Sequence, residues 1–253
     1  MAVIVPTRRV ERRLAREGHS VILGVDEVGV ACSSGPVVAC ALAMPLNRRL
    51  IKGVRDSKTL SAQQREKLAV AIRRQAVVVG LGAASVAEID RLNIYHATVL
   101  AMRRAVVRAG AHDFVIVDGR RIRGFEEEVG PYRAIIDGDA LCYVIACASI
   151  VAKVTRDRLM ARLAARYPGY GWEHNAGYST PHHRRQLEEL GITPHHRHSF
   201  ITVKRVEFGS QLSFDDAVAV PAAGPPRPAP RVAVASPVAP TDEPRLSPAP
   251  AAS

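Results

Sequence analysis

The stretch GVDEVGVACSSGPVV, residues 24–38, decides how this chain is read. An apolar run, VILGV over 21–25, leads straight into two adjacent carboxylates, Asp26 and Glu27. Glycines and small residues follow, and a second apolar run, VVACALA, covers 37–43. Two acids at the end of a strand built for burial need a reason, because an unpaired carboxylate is costly to desolvate. They also need a bend. Successive strand side chains point to opposite faces, so Asp26 and Glu27 can serve one site only where the strand bends or ends. Gly24 and Gly29 flank the pair and permit that.

Outward from this stretch, apolar runs predict strands at 20–28, 35–44, 76–82, 114–118 and 132–136. Helical signals lie between and after them. SAQQ (61–64) and SVAE (85–88) are capping boxes. Residues 93–107 carry apolar positions at helical spacing, and a long helical segment runs from Leu141 to about Arg166. Thr180 and Pro181 open a further helix that Gly191 stops. Strands come first, then strands alternating with helices, then helices alone. That order predicts an α/β core with a helical C-terminal part over about 141–208. Residues 1–19 read as an N-terminal extension with a short helix, and residues 20–208 as the main domain.

Three of the strands end in acid. Asp26 closes the first, Asp118 closes VIVD (115–118), and Asp139 follows the fifth in IIDGDA (135–140). Strand ends of an open α/β sheet converge where such folds hold ligands. Carboxylates brought together repel unless cations sit between them. An all-oxygen set without cysteine or histidine suits Mg²⁺ or Mn²⁺. Two such ions favour phosphodiester hydrolysis. Each Asp-Gly taken alone is also ordinary turn chemistry, and spacing leaves both readings open.

Composition narrows the partner. The chain has 253 residues, 47% of them hydrophobic, and a formal net charge of +11. After about Phe208 it becomes rich in proline, alanine, valine and serine, and 209–253 read as a disordered tail. Three arginines against four acids give that tail −1, so the body carries +12. Such a body favours nucleic acid. Cys32, Cys40, Cys142 and Cys147 form no C-x-x-C pair and read as buried small hydrophobes in a reducing compartment. With neither a signal-like run nor a membrane span, the expected location is the cytoplasm.

Several stretches resemble bacterial ribonuclease HII. They are DEVG (26–29), DSKTLS (56–61), IDRLNIYHAT (89–98), VDG (117–119), GDA (138–140), ASIVAKVTRD (148–157), YPGYGW (167–172), GYST (177–180) and HRHSF (196–200). They run in order over about residues 20–206. The resemblance implies an RNase H-like fold, a mixed central sheet flanked by helices. It implies metal-dependent hydrolysis of RNA in RNA–DNA hybrids, and incision at ribonucleotides embedded in duplex DNA. Carried over by motif, Asp26, Glu27, Asp118 and Asp139 would be the catalytic metal ligands, with Mn²⁺ or Mg²⁺ as the ion. Lys58 and the 153–157 run would contact nucleic acid or support the site, with Asp157 in an ion pair to an arginine of its own helix. The related type III enzyme carries an extra N-terminal domain, for which this chain has no room.

The chain departs from the family at the loop after the acid pair. The family has Gly-Arg-Gly there, which with the tyrosine matching Tyr178 holds the ribonucleotide. This chain has Gly29, Val30 and Ala31. Val30 makes no phosphate contact, and Ala31 disfavours a positive φ. EHNAG (173–177) stands where His-Lys-Gly is usual, and Asp137, read as a turn acid, where a lysine is common. His182, His183, His195, His196 and His198 read as a solvated basic face, and Tyr170 and Trp172 as a packed pair. Residues 211–214, QLSF, partly resemble a motif that docks on the bacterial sliding clamp. The rival reading is a catalytically impaired hybrid-binding protein of the same fold.

Overall fold

The computed structural model describes residues 5–209. In chain order the elements are α1 (Arg9–Arg16), β1 (Ile22–Val28), β2 (Val37–Ala43), a 3-10 turn (Ser57–Thr59), α2 (Ala62–Gln75) and β3 (Val78–Ala84). Then come α3 (Val86–Leu92), α4 (Ile94–Ala109), β4 (Phe114–Asp118), α5 (Glu126–Val129) and β5 (Tyr132–Ile135). Helices α6 (Gly138–Leu141), α7 (Tyr143–Arg166), α8 (Trp172–Asn175), α9 (Pro181–Leu190) and α10 (Ile201–Phe208) complete them. The Pro/Ala-rich segment and residues 211–214 lie outside the described residues.

All five expected strands form, in the order β3-β2-β1-β4-β5. β1 pairs antiparallel with β2 and parallel with β4, and β5 continues parallel to β4. The sheet is therefore mixed. Strand alternation divides β1 between two cores. Ile22, with Cys40, Leu42 and Ile116, packs on α7 and α2. Leu23 and Val25, with Val115 and Val117, pack on α3, α4 and α5. Gly24 lets α7 approach closely, since a Cβ there would lie 2.6 Å from the Val144 carbonyl carbon. Every residue from Tyr143 to Ala152 is buried, as expected of a helix pressed between the sheet and its neighbours.

Both capping boxes are made. Ser61 and Ser85 each accept from the backbone amide three residues on, and Gln64 and Glu88 answer with their side chains. Thr180 caps α9 with Pro181 in its first turn, and Gly191 ends it at φ +77°. A third cluster, with Met160, Ala164, Tyr170, Trp172, Leu187 and Val203, gathers the far end of α7 with α8, α9 and α10. Among the described residues no helix is long and apolar enough to cross a membrane. The four cysteines are free and buried.

Candidate active site

Topology brings the acids together. β1 and β4 run parallel with Val25 opposite Val117, so Asp26 and Asp118 follow at the same end. Beyond β5, Asp137 turns the chain in the left-handed region at φ +55° and opens α6, which carries Asp139. Asp137 is exposed and serves as the turn acid expected of it. Gly138 donates its amide to Asp118 Oδ1 at 2.7 Å, and a Cβ on it would lie 2.7 Å from Ile145 Cδ1. One carboxylate oxygen from each of Asp26, Asp118 and Asp139 lies within 4.8 Å of the others.

Glu27 stands beside this trio and not inside it. Its amide donates to Asp26 Oδ1 at 2.8 Å, while its own Oε2 is buried with no hydrogen-bond partner among the described residues. β1 continues through Val28, so the bend comes after the acid pair. Burial first, then the Glu27, Asp118 and Asp139 charges, raises the Asp26 carboxyl well above the usual range, against the pull of the Ser149 hydroxyl. Burial and then Asp118 push Glu27 up to about 7. Burial and then Asp139 raise Asp118. These are acids short of positive charge.

Lys58 supplies one nearby cation. Asp56 caps its 3-10 turn, and its Nζ lies 3.3 Å from Asp139 Oδ2. Burial alone would lower the ammonium pKa, but Asp139 and the neighbouring acids raise it. A cleft of about 230 Å³ opens here, lined by Asp26, Glu27, Asp118, Lys58, Lys153, Gly29, Val30, Ala31 and Tyr178. Asp139 reaches it through its carboxylate contacts with the other acids and Lys58. Tyr178 is 40% exposed on the rim, with Lys153 Nζ 5.9 Å from its ring centroid.

Several expectations are corrected. Ala31 is not among the positive-φ residues, so its Cβ brings no strain; the position that needs glycine is Gly29, at φ +94°. Of the two roles expected for the 153–157 run, contact with nucleic acid or support of the site, Arg156 has only the second open to it, because it is fully buried and bonds three backbone carbonyls. Asp157 pairs with Lys153 at 2.7 Å and with Arg65 of α2 at 3.7 Å, not with an arginine of its own helix. The histidines do not form one solvated face. His183 and His196 are buried against Trp172, which stacks on Tyr170.

The bonds of that cluster assign its protons. Trp172 Nε1 donates to His183 Nε2, so His196 Nε2, 3.2 Å from the same atom, carries a hydrogen. Thr193 donates its amide to His196 Nδ1, and His183 Nδ1 donates to the Tyr178 carbonyl at 2.9 Å. Both rings are neutral, and burial lowers both pKa values, that of His196 to about 3. Sequence reading also missed Arg197 and the burial of Arg156, both wholly enclosed around the loop after Gly29. Their motifs are visible, but arginine in a basic chain reads as surface.

The chain is similar to known proteins. The family model described as Ribonuclease HII matches residues 23–203. A Ribonuclease HII of Thermosynechococcus vestitus is 51% identical over 193 residues, 76% of this chain and 88% of that protein. One from Granulibacter bethesdensis is 49% identical over 199 residues, 77% of this chain and 90% of that protein. Among solved structures, ribonuclease H2 of Pyrococcus horikoshii aligns with a TM-score of 0.61 at 27% identity, covering 74% of this chain and 96% of that one. The PCNA:RNase HII complex of Archaeoglobus fulgidus aligns at 0.62 and 30%, covering 70% and 93%. The matched span holds Asp26, Asp118 and Asp139, the cleft beside them and the loop that borders it, and the chain belongs to the ribonuclease HII family.

Proposed function

We propose that this chain is a divalent-metal-dependent endoribonuclease. It hydrolyses the RNA strand of RNA–DNA hybrids and incises at ribonucleotides embedded in duplex DNA, leaving 3′-hydroxyl and 5′-phosphate ends. The observation that carries this reading is the convergence of Asp26 and Asp118, on the parallel strands β1 and β4, with Asp139 of α6, with too little positive charge to neutralise them.

The residues fit a hard cation. All donors are carboxylate oxygens, burial and then the neighbouring carboxylates raise the pKa values of Asp26, Glu27 and Asp118, and the unpartnered Oε2 of Glu27 points to a missing ligand-side partner. Asp26, Asp118 and Asp139 would hold Mn²⁺ or Mg²⁺, with Glu27 as the adjoining ligand. Bound divalent ions supply an activated water and charge stabilisation at the leaving oxygen. Lys58 neutralises Asp139 and offers an ammonium to an incoming phosphate. Tyr178 presents its ring and hydroxyl on the rim, where a 2′-hydroxyl distinguishes RNA from DNA. Gly29, Val30 and Ala31 line the same cleft. Beyond Asp118 a second groove contains Gly119, Arg120, Arg121 and Arg133, in keeping with a phosphate-lined partner.

Support for a sliding-clamp partner is confined to residues 211–214 and to the archaeal complex. The deciding experiment is cleavage of a continuous hybrid and of duplex DNA with one ribonucleotide, with Mn²⁺ or Mg²⁺ and with EDTA. Metal-dependent cuts at ribonucleotides are expected. Binding without cleavage in any metal would establish the impaired, hybrid-binding alternative.

A further inference from the structure

Two guanidinium groups lie wholly buried beneath the loop that follows the acid pair. Arg197 donates from Nη2 to the Gly29 carbonyl at 2.7 Å, from Nη1 to the Val30 carbonyl at 3.0 Å, and from Nε to the Gly35 carbonyl at 2.9 Å. Arg156 donates to the carbonyls of Ser34 at 2.9 Å, Pro36 at 2.9 Å and Ala176 at 2.6 Å. Neither makes an ion pair with a carboxylate among the described residues. Burying a charge this way is costly, and the charge-assisted bonds to six carbonyls, with the Phe200 ring against Arg197, offset it. A fold with no use for the arrangement would gain by apolar packing.

The consequence falls on the amides. With the Gly29 and Val30 carbonyls turned onto Arg197, the amides of Gly29, Val30 and Ala31 donate to no protein acceptor among the described residues. All three residues line the cleft. Gly29 completes the fit, because a Cβ there would overlap the Arg156 guanidinium. Arg156 also reaches Ala176, and the Ser34 amide donates to the Gly177 carbonyl at 3.3 Å, so the loop and the Tyr178 segment are tied together.

The geometry points to Arg156 and Arg197 as positioning residues of the substrate loop. They hold its carbonyls inward so that the free amides of Val30 and Ala31 meet the phosphate and 2′-oxygen of a ribonucleotide. This rests on the ribonuclease reading. Their two charges, in a low-dielectric setting, also draw an anionic backbone towards a loop whose own side chains at 30 and 31 carry none. The Arg197 group stays charged at neutral pH, although burial, and then Arg156, pulls its pKa down to about 10.

The test is Arg197→Lys, which keeps the charge but cannot span three carbonyls as a planar fork. A single embedded ribonucleotide has one productive register, whereas a continuous hybrid offers many. We expect kcat/KM on the single-ribonucleotide duplex to fall roughly tenfold or more, the scale of one charge-assisted hydrogen bond. On continuous hybrid the fall should be several times smaller, with unchanged Mn²⁺ dependence. Phe200→Leu removes the ring that Arg197 covers at 5.1 Å without touching the loop, and it should shift the same ratio in the same direction by a smaller factor. It decides the matter if the lysine variant does not fold. Equal losses on both substrates would make the arginines merely structural and overturn the inference. Failure of the unaltered protein to cut either substrate would instead overturn the ribonuclease reading.

Discussion

Replacing Asp118 by Asn should stabilise the metal-free protein while removing its activity. Asn keeps an Oδ1 that can accept the Gly138 amide, now bonded at 2.7 Å, so the local structure is retained. What disappears is one negative charge among several. Glu27 is pushed up to about 7 by burial first and by Asp118 next. Against an ordinary glutamate, that corresponds to about 3 kcal/mol of cost for its ionised form. Assigning the smaller part to Asp118 gives a gain of about 1 kcal/mol, or about 2–4 °C in Tm for a domain of this size. The sign follows from linkage. Acids with raised folded pKa values bind more protons folded than unfolded, so metal-free stability falls as pH rises from about 4.5 through about 7. The Tm advantage of Asp118→Asn should therefore be largest at pH 8 in EDTA and nearly absent at pH 4.5. Added Mn²⁺ should reverse the order, because only the intact site gains by binding it. Thermal melts with and without metal, beside a hybrid-cleavage assay, read all of this. A metal-free variant no more stable than wild type at pH 8, or one with wild-type turnover, would refute the reasoning.

Val30→Arg should raise incision at single ribonucleotides by roughly ten- to a hundredfold relative to hybrid cleavage, the worth of one charge-assisted phosphate contact. Adding Ala31→Gly should contribute little, since Ala31 keeps a negative φ; paired single and double mutants measured on both substrates check this. The buried His183–His196 pair has the opposite pH sign to the carboxylates. His196 is held down to about 3 by burial and then by His183, so its contribution to stability is present above about 6.5 and lost as pH falls. The Tm difference between wild type and His196→Gln should shrink from pH 7 to pH 5, and a constant difference would count against a neutral pair. A chain ending at Gly209 should keep its melting temperature and hybrid turnover, because every core cluster and the whole candidate site lie within the described residues. A loss of either would assign the removed segment a structural or catalytic part.

The features legible in the sequence are those fixed by neighbours along the chain. The five strands follow from short apolar runs, and the capping boxes at Ser61 and Ser85 from residues three apart. Asp118 could be placed because a parallel strand that ends in acid must end near its partner. The misses are long-range. That the bend comes after the acid pair follows from β1 running on through Val28 before it turns. Arg197 bonds carbonyls 162 to 168 positions away in the chain, a pairing no local pattern can announce. His183 and His196 looked solvated because histidine beside arginine usually is; docking of α9 on α8 buries the first of them against Trp172.

The two halves of the site are held by different machinery, and that bears on how the Gly-Val-Ala loop can persist. The carboxylates stand on the sheet and on α6, fixed by strand register and by the Gly138 amide. The loop hangs from guanidinium groups on α7 and just before α10, and through Ser34 and Gly177 from the Tyr178 segment. No hydrogen bond of Arg156 or Arg197 reaches a metal-site acid among the described residues. A change at Val30 therefore alters what the loop presents to substrate without moving the aspartates. A change at Asp118 alters charge at the reacting centre without freeing the loop. Substrate preference and hydrolytic power should thus vary nearly independently under mutation, with additive free energies for a Val30–Asp118 double mutant. Strong non-additivity in that pair would show that the loop and the carboxylates form one mechanical unit.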